Sequence, residues 1–451
     1  MTTNWIPSLK IPILRTLLAA LLYSGAAFGP AATATPAVLD EATVLRLAME
    51  NNYNIRKAEA RLAQAEGGRL SARSRRLPGV DLSARYTRLD ENRLEAFGGQ
   101  TFGDTESWNA EVTATQPLYT GGAIKADVEG STAREAAAAA ELTTARREAL
   151  LAVKEAWFTV LLRREQVDVQ QRSVNLREQQ LANTRQRFEA GTISRFEVLQ
   201  AEVALANARP SLIRAKNDFR LSIIDLLNAV GLPDPGRSLP EIEGQLEFSA
   251  MGINLREALS TARSQRPEYR ALEKRREAAE SGVTAAKAGR RPALNFTAGY
   301  GIQKSSFSDQ LDDTVQGWSV GVQGSWNLWD WNGTEGEVRS ALAAVRETEL
   351  SLAELDLRVA SEVRRALSSV KEATELVDAS RKVVEQAEEA LDLAEDRFGV
   401  GNAIQLDVLE AQVALTEART NEIRALHDHA VAVDRLRRAM GILRFDTGAS
   451  R

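Results

Sequence analysis

The stretch RFEAGTISRFEVLQAEVALANAR, residues 187–209, returns as RFGVGNAIQLDVLEAQVALTEAR at residues 397–419. Eleven of the 23 positions are identical, and the offset is 210 residues throughout. In each copy Arg-Phe-x-x-Gly closes one helical pattern, and a second pattern opens a few residues later. Glycine supplies the permissive backbone on which a helix ends. A helix–break–helix unit written twice implies an internally duplicated chain.

Upstream of each break lies a very long helical segment. Residues 123–189 hold no proline and no glycine after Gly130, and residues 334–398 hold no proline and only Gly336. About 65 residues at ~1.5 Å each make a helix of about 100 Å, far longer than globular helices usually run. Leu376, Ser380, Val383, Ala387, Ala390 and Ala394 step by four and three, a coiled-coil-like spacing. Downstream of each break a helix of about 38 residues runs back, to Gly231 or Gly441. Each half therefore yields a helical hairpin.

The duplication extends further out. Leu39-Asp-Glu-Ala opens a helical pattern ending near Arg76, and Leu255-Arg-Glu-Ala opens another ending near Arg291. PGVDLSARY from Pro78 answers PALNFTAGY from Pro292, and Trp108 answers Trp318. These runs alternate strictly. Leu294, Phe296, Ala298, Tyr300 and Ile302 take one face; Asn295, Thr297, Gly299, Gly301 and Gln303 take the other. Trp318, Val320, Val322, Gly324, Trp326 and Leu328 oppose Ser319, Gly321, Gln323, Ser325 and Asn327, and the runs from Val80 and Trp108 behave alike. Alternation over about 9–12 residues suits a tilted strand crossing a bilayer. Five of the seven tryptophans (Trp108, Trp318, Trp326, Trp329 and Trp331) lie in or just after these runs, and Tyr119 closes one of them. That is where an interfacial aromatic girdle belongs. A water-soluble sheet with one packed face would also alternate.

The N-terminus carries Lys10 and Arg15, then a short apolar core from Thr16 to Ala27 and small residues at Ala32 and Ala34. This is the pattern of an export signal, and its apolar run is too short to span a bilayer as a helix. No later segment has 18 uninterrupted apolar residues, so a membrane crossing must use strands. Four strands cannot close a barrel, and an open edge in lipid leaves backbone donors unpaired. The chain must pool strands with copies of itself, and the sequence alone permits an assembly of two copies or three. The domain plan is a signal peptide at 1–34 and a first repeat at 35–231, with strands near 79–89 and 107–119 and a tip near 187–197. A linker follows at 232–254. A second repeat fills 255–441, with strands near 292–304 and 315–329 and a tip near 397–407, and 442–451 is a short tail.

Composition limits the alternatives. The 451 residues are 44% hydrophobic and 26% charged, a folding composition, and the net charge of −5 argues against nucleic acid as the partner. There is no cysteine, which removes disulfides, thiolate metal sites, a cysteine nucleophile and a lipidated N-terminal cysteine. The only histidines, His427 and His429, stand two apart on a helix and point away from each other. No nucleophile–base set, phosphate loop or metal-ligand cluster is present, so no enzyme, cofactor or metal is expected.

The export signal, the duplicated unit, the QPLYTGG turn at 116–122 and the paired RFxxG…VLxAxVAL tips resemble the TolC-like outer-membrane efflux family, over nearly the whole mature chain. The resemblance implies an α+β membrane protein. In it, four strands from each of three copies form one 12-stranded barrel, continued by a long α-helical periplasmic tunnel. It implies a homotrimer set in outer-membrane lipid of a Gram-negative bacterium, docked on a periplasmic adaptor and an inner-membrane transporter of RND or ABC type. The role implied is a passive exit duct for efflux or type I secretion; a soluble periplasmic coiled-coil scaffold is the alternative. The resemblance further implies a constriction gate at Asp407 and Glu410, with Glu197 in the first tip, where Gln200 stands in place of the second acid. It implies adaptor docking at Arg187, Phe188, Gly191, Thr192, Ile193, Arg397, Phe398, Gly401, Asn402 and Ala403. This chain departs from some relatives in lacking a lipidated N-terminal cysteine, in carrying a short tail after Gly441, and in having Ala403 near where some place a basic latch.

Overall fold

The computed structural model describes residues 36–90, 95–97, 100–102, 105–233, 236, 239–305 and 310–444. The export signal expected at 1–34 lies outside the described residues. The elements run β1 (Val38–Leu39), α1 (Glu41–Asn51), α2 (Tyr53–Ser74), β2 (Gly79–Arg88), β3 (Glu95–Phe97), β4 (Gln100–Phe102), β5 (Glu106–Tyr119), α3 (Ala123–Glu189) and α4 (Arg195–Val230). The second half runs β6 (Glu241–Ile242), α5 (Leu255–Gln265), α6 (Pro267–Lys287), β7 (Ala293–Lys304), β8 (Thr314–Ser325), α7 (Gly333–Gly399) and α8 (Gln405–Ala439). The class is α+β, as expected.

Where one helix was expected before each first strand, there are two. Asn52 breaks the first: its backbone is extended, and its side-chain oxygen accepts the N–H groups of Asn54 (2.9 Å) and Ile55 (3.2 Å), so it caps α2. In the second repeat Arg266 takes the extended position and Pro267 opens α6, where its missing N–H costs nothing.

Four strands form one antiparallel sheet in the order β2-β5-β7-β8. The register aligns the alternating faces into rows. Leu82 lies opposite Val112, Val112 opposite Tyr300 and Tyr300 opposite Trp318; Val80, Ala114, Ala298 and Val320 form another row. The opposite face carries Ser83, Glu111, Gly301 and Gly317 across the same strands. No described helix packs on the sheet. Leu82 is 75% exposed and Trp318 78%, so the apolar rows lie bare. β8 ends at Ser325, short of the expected 329, and Trp326, Trp329 and Trp331 fall in the turn before α7. There Trp331 and Asn332 take positive φ.

The helices carry the strand order downward. α2 packs on α3, α3 on α6 and α6 on α7, matching β2, β5, β7 and β8, to which they are joined. α4 returns along α3, α8 returns along α7, and α8 also packs on α3, joining the two hairpins. α3 and α7 each have 67 residues and start 210 apart. The main core lies where α1, α3, α4 and the linker meet, around Leu150, Val153, Trp157, Leu161, Leu226 and Leu227. A second core joins α5, α7 and α8 around Val359, Val363, Leu436 and Met440.

The apolar stripe on α7 is met only in part: Ala387 and Ala394 pack on the small core around Leu391, Val408 and Leu415. Val370, Ala373, Val377 and Leu391 are buried, whereas Leu376 and Val383 are about half exposed. Leu342, Leu350, Leu357 and Leu393 are exposed too. At 100° per residue Leu350, Leu357 and Leu393 fall on the side opposite the buried set, so α7 has a second apolar face that its own chain leaves bare. Among the described residues no helix is long and apolar enough to cross a membrane.

Candidate functional site at the hairpin tips

Both hairpins turn in the same way. α3 ends with the Thr192 N–H donating to the Arg187 carbonyl (3.0 Å), and α7 ends with the Asn402 N–H donating to that of Arg397 (2.8 Å). Gly191 (φ 74°) and Gly401 (φ 82°) supply the left-handed residue each turn needs.

The turn brings the tips together through one cation. The Arg187 guanidinium lies over the Phe398 ring, 4.7 Å from its centroid, and Nη1 donates to the Phe398 carbonyl at 3.3 Å. Between the tips opens a cleft of about 920 Å³ lined by Arg187, Ile193, Phe196, Phe398, Val400 and Ile404 among others, with Glu197 and Gln200 on one wall. Thr192, Gly401 and Ala403 also border it. Phe188 is 40% exposed, and Arg397 and Asn402 are exposed.

Asp407 and Glu410 are both exposed in the first turns of α8, three residues apart and outside this cleft. Asp407 acts locally, since its Oδ2 accepts the Ile404 N–H at 3.1 Å and so caps α8. Glu410 makes no ion pair among the described residues. The structure therefore brings Arg187 and Phe398 together, but within one chain it does not join Glu197 to the acidic pair.

Sequence reasoning missed the buried amides behind the tips. Gln180, Thr184, Gln405 and Gln412 are buried where α3 meets α8. Gln405 Nε2 reaches the Thr184 hydroxyl only at 3.5 Å, and both polar atoms of the Gln412 amide lack a protein partner. Amides left so cost about 1–3 kcal/mol each, so this end of the seam is weakly held. Glu395 lies beside a smaller cavity here; burial first, then Asp392 and Asp396, pushes its carboxyl upward. Higher up, the same seam is ion-paired. Lys154 binds Asp434 (2.8 Å) and Glu41 (3.1 Å), Arg435 binds Glu155 (2.7 Å), and Arg438 binds Glu148 (2.8 Å).

The aromatics fall at two levels. Trp108, whose Nε1 donates to the Leu311 carbonyl, and Trp318 sit toward the strand-connecting loops. Tyr119, Trp326, Trp329 and Trp331 sit at the helix end of the sheet, where Trp326 Nε1 donates to the Arg290 carbonyl and Trp329 meets Trp331 edge-on at 5.7 Å. Eight residues at ~3.3 Å of strand separate Trp318 from Trp326, roughly 26 Å. Among the described residues no cluster of three or more metal-ligating side chains occurs.

The model of the outer membrane efflux protein family matches residues 44–232 and 258–442. No curated protein matches the sequence. Among solved structures, a membrane protein from Pseudomonas aeruginosa is similar at TM-score 0.76 and 20% identity, covering 91% of this chain and 98% of its own. VceC, an outer membrane protein from Vibrio cholerae, aligns at 0.73 and 21%, covering 89% and 96%. The open state of the MtrE outer membrane channel from Neisseria gonorrhoeae aligns at 0.75 and 21%, covering 90% of each.

Proposed function

The chain belongs to the outer membrane efflux protein family, and on that premise we propose that it is the passive exit duct of a tripartite efflux pump or type I secretion system. An efflux channel of the Gram-negative outer membrane is what the family and its structural relatives support. The observation that carries the reading is the bare sheet. Its apolar rows have no helix over them, and its outer strands β2 and β8 each have one unpaired edge. In water both features are liabilities; in lipid the first is required, and the second demands neighbouring copies. A soluble scaffold would cover those rows.

In the assembly we infer, β8 of one copy pairs with β2 of the next. Three copies pool twelve strands, the number the resemblance carries. The two aromatic levels mark the membrane interfaces, and the helices extend into the periplasm as a tube. The apices Gly191–Ile193 and Gly401–Ala403, with the flanking Arg–Phe pairs, receive a periplasmic adaptor that links the duct to an inner-membrane RND or ABC transporter, which selects the cargo. Asp407 and Glu410 from three copies place six carboxylates at the narrow end, with Glu197 nearby. Such a ring favours cations over anions.

Native mass in detergent, followed by conductance in planar bilayers, tests the duct. A trimer that conducts is expected; a single copy that stays intact without detergent removes the reading. Asp407→Asn with Glu410→Gln keeps the α8 cap while removing charge, and should lower cation preference. Unchanged selectivity would withdraw the gate.

A further inference from the structure

α3 corresponds to α7, and α4 to α8, at a constant offset of 210 residues. Every contact between the two hairpins of one chain thus has a counterpart that the chain cannot make alone. Inside the chain, Arg187 stacks on Phe398. The counterparts are Arg397 and Phe188. Arg397 is exposed and reaches only the Asn402 carbonyl in its own turn, at 3.5 Å, the edge of a hydrogen bond. Phe188 is 40% exposed, and no cation lies over its ring among the described residues.

The helices behind these residues show the same imbalance. α3 packs on α8, where Ser173 meets Thr416 hydroxyl to hydroxyl at 3.4 Å. The counterpart seam would join α7 to α4, and a single chain forms no such packed seam. Its two faces stand ready: Val383, the counterpart of Ser173, is 50% exposed on α7, and Leu199 and Val203 are exposed on α4. The bare guanidinium, the bare ring and the two bare apolar faces are the halves of one contact that the single chain leaves unmade.

We propose that a second copy of this chain completes it. Arg397 stacks on Phe188 of the neighbouring copy while α7 packs against that neighbour's α4, so stacks within chains alternate with stacks between chains around the ring of tips. This rests on the assembly proposed above and adds a contact that pooled strands alone do not require. A planar guanidinium covers a ring face in a way that a lysine ammonium cannot. It also gives Arg397 and Phe188 an assembly role in addition to the adaptor docking proposed for the tips.

The sequence has no cysteine, so two introduced thiols are the only ones present. Arg187→Cys/Phe398→Cys calibrates the test: a bis-maleimide reagent is chosen that links this pair within one chain. The same reagent on Arg397→Cys/Phe188→Cys should give bands of two and three chains in denaturing gels. If native mass shows the multi-copy particle but the gel shows single chains only, the stack is overturned and the duct reading stands. A single-copy native mass overturns both. Should the double variant fail to assemble, co-produced Arg397→Cys and Phe188→Cys single variants give the same reading through a two-chain band, and its absence from the assembled mixture rejects the stack.

Discussion

At the joint of the first repeat, Asn52 ends α1, caps α2 and donates from Nδ2 to the Ala229 carbonyl at 2.7 Å. At the equivalent joint of the second repeat, Arg266 ends α5, precedes Pro267 and donates from Nη1 to the Ala439 carbonyl at 3.4 Å. The backbone path is the same and the chemistry is not. Asn52 completes its joint with neutral hydrogen bonds. Arg266, whose side chain is only 4% exposed, pairs with Glu268 (2.7 Å) and Glu362 (2.6 Å), and Arg438 joins Glu362 and Glu148 to the cluster. Duplication has fixed the geometry of the joint, while one copy relies on amide capping and the other on charge.

The sharpest way to break this contrast is to truncate both residues. Arg266→Ala leaves two carboxylates with reduced compensation in a mostly buried site and should cost about 3–5 kcal/mol. Asn52→Ala removes a cap and one long-range bond and should cost about 1–2 kcal/mol. Unfolding of the detergent-solubilised protein in denaturant measures both, and equal losses would show that the charges add nothing beyond geometry. The glycines that close the joints come next. A Cβ on Gly231 would stand 2.5 Å from the Asn51 carbonyl oxygen, and one on Gly441 would stand 2.9 Å from the Arg266 nitrogen, both at positive φ. Alanine there should cost about 2–4 kcal/mol, adding crowding to left-handed strain. Gly191→Ala at the open tip meets nothing within 4 Å and should cost about 1 kcal/mol.

Acid separates the joints without mutation. Burial alone would push the Glu268 carboxyl up, but the hydrogen bond and charge of Arg266, aided by Arg438, hold it below its ordinary value. Its stabilisation is therefore complete above that ordinary value and is lost as pH falls through the lowered one. Arg266 shifts the other way: burial opposes its charge, the carboxylates outweigh burial, and its contribution fades only in strong alkali. Asn52 does not titrate. Relative to its intrinsic rate at each pH, amide exchange in the first turn of α6 should accelerate in acid more than at Asn54 and Ile55. These amides are chosen because Asp40, also held low by its bonds to Thr43, weakens only the far end of α1. Equal acceleration would erase the distinction. The smallest effect is expected of Tyr269→Phe. Burial and its bond to Asp356 push that phenol up to about 12, yet Asp356 keeps both bonds from Arg263, so the loss should be about 1 kcal/mol or less in the same unfolding assay.

Much of this fold could be read in advance because its periods are pure. Strict alternation marked strands that no core distorts, and the absence of proline marked the two long helices. The joints were missed although their signals were present: Asn52 is a capping residue and Pro267 a helix opener, each lying inside an otherwise continuous apolar pattern. The stripe on α7 was right at Ala387 and Ala394 but not at Leu376 and Val383, because the helix has two apolar faces and composition does not say which belongs to its own chain. At the tips, the RFxxG repeat exposed the turn but not that Arg187 would reach across to Phe398. The acids Asp407 and Glu410 carry no signature that separates a lining residue from a capped and solvated helix start.

The two bare edges of the sheet also bear on heredity. A strand that must be completed by its neighbour makes each copy answerable for the next. In the assembly proposed above, a proline placed in β8, such as Val320→Pro, would remove one ladder donor and distort the strand that pairs with β7 on one side and is offered onward on the other. Produced beside the unaltered gene, such a chain should silence far more ducts than its share of the pool, so a defect in one allele would behave as dominant.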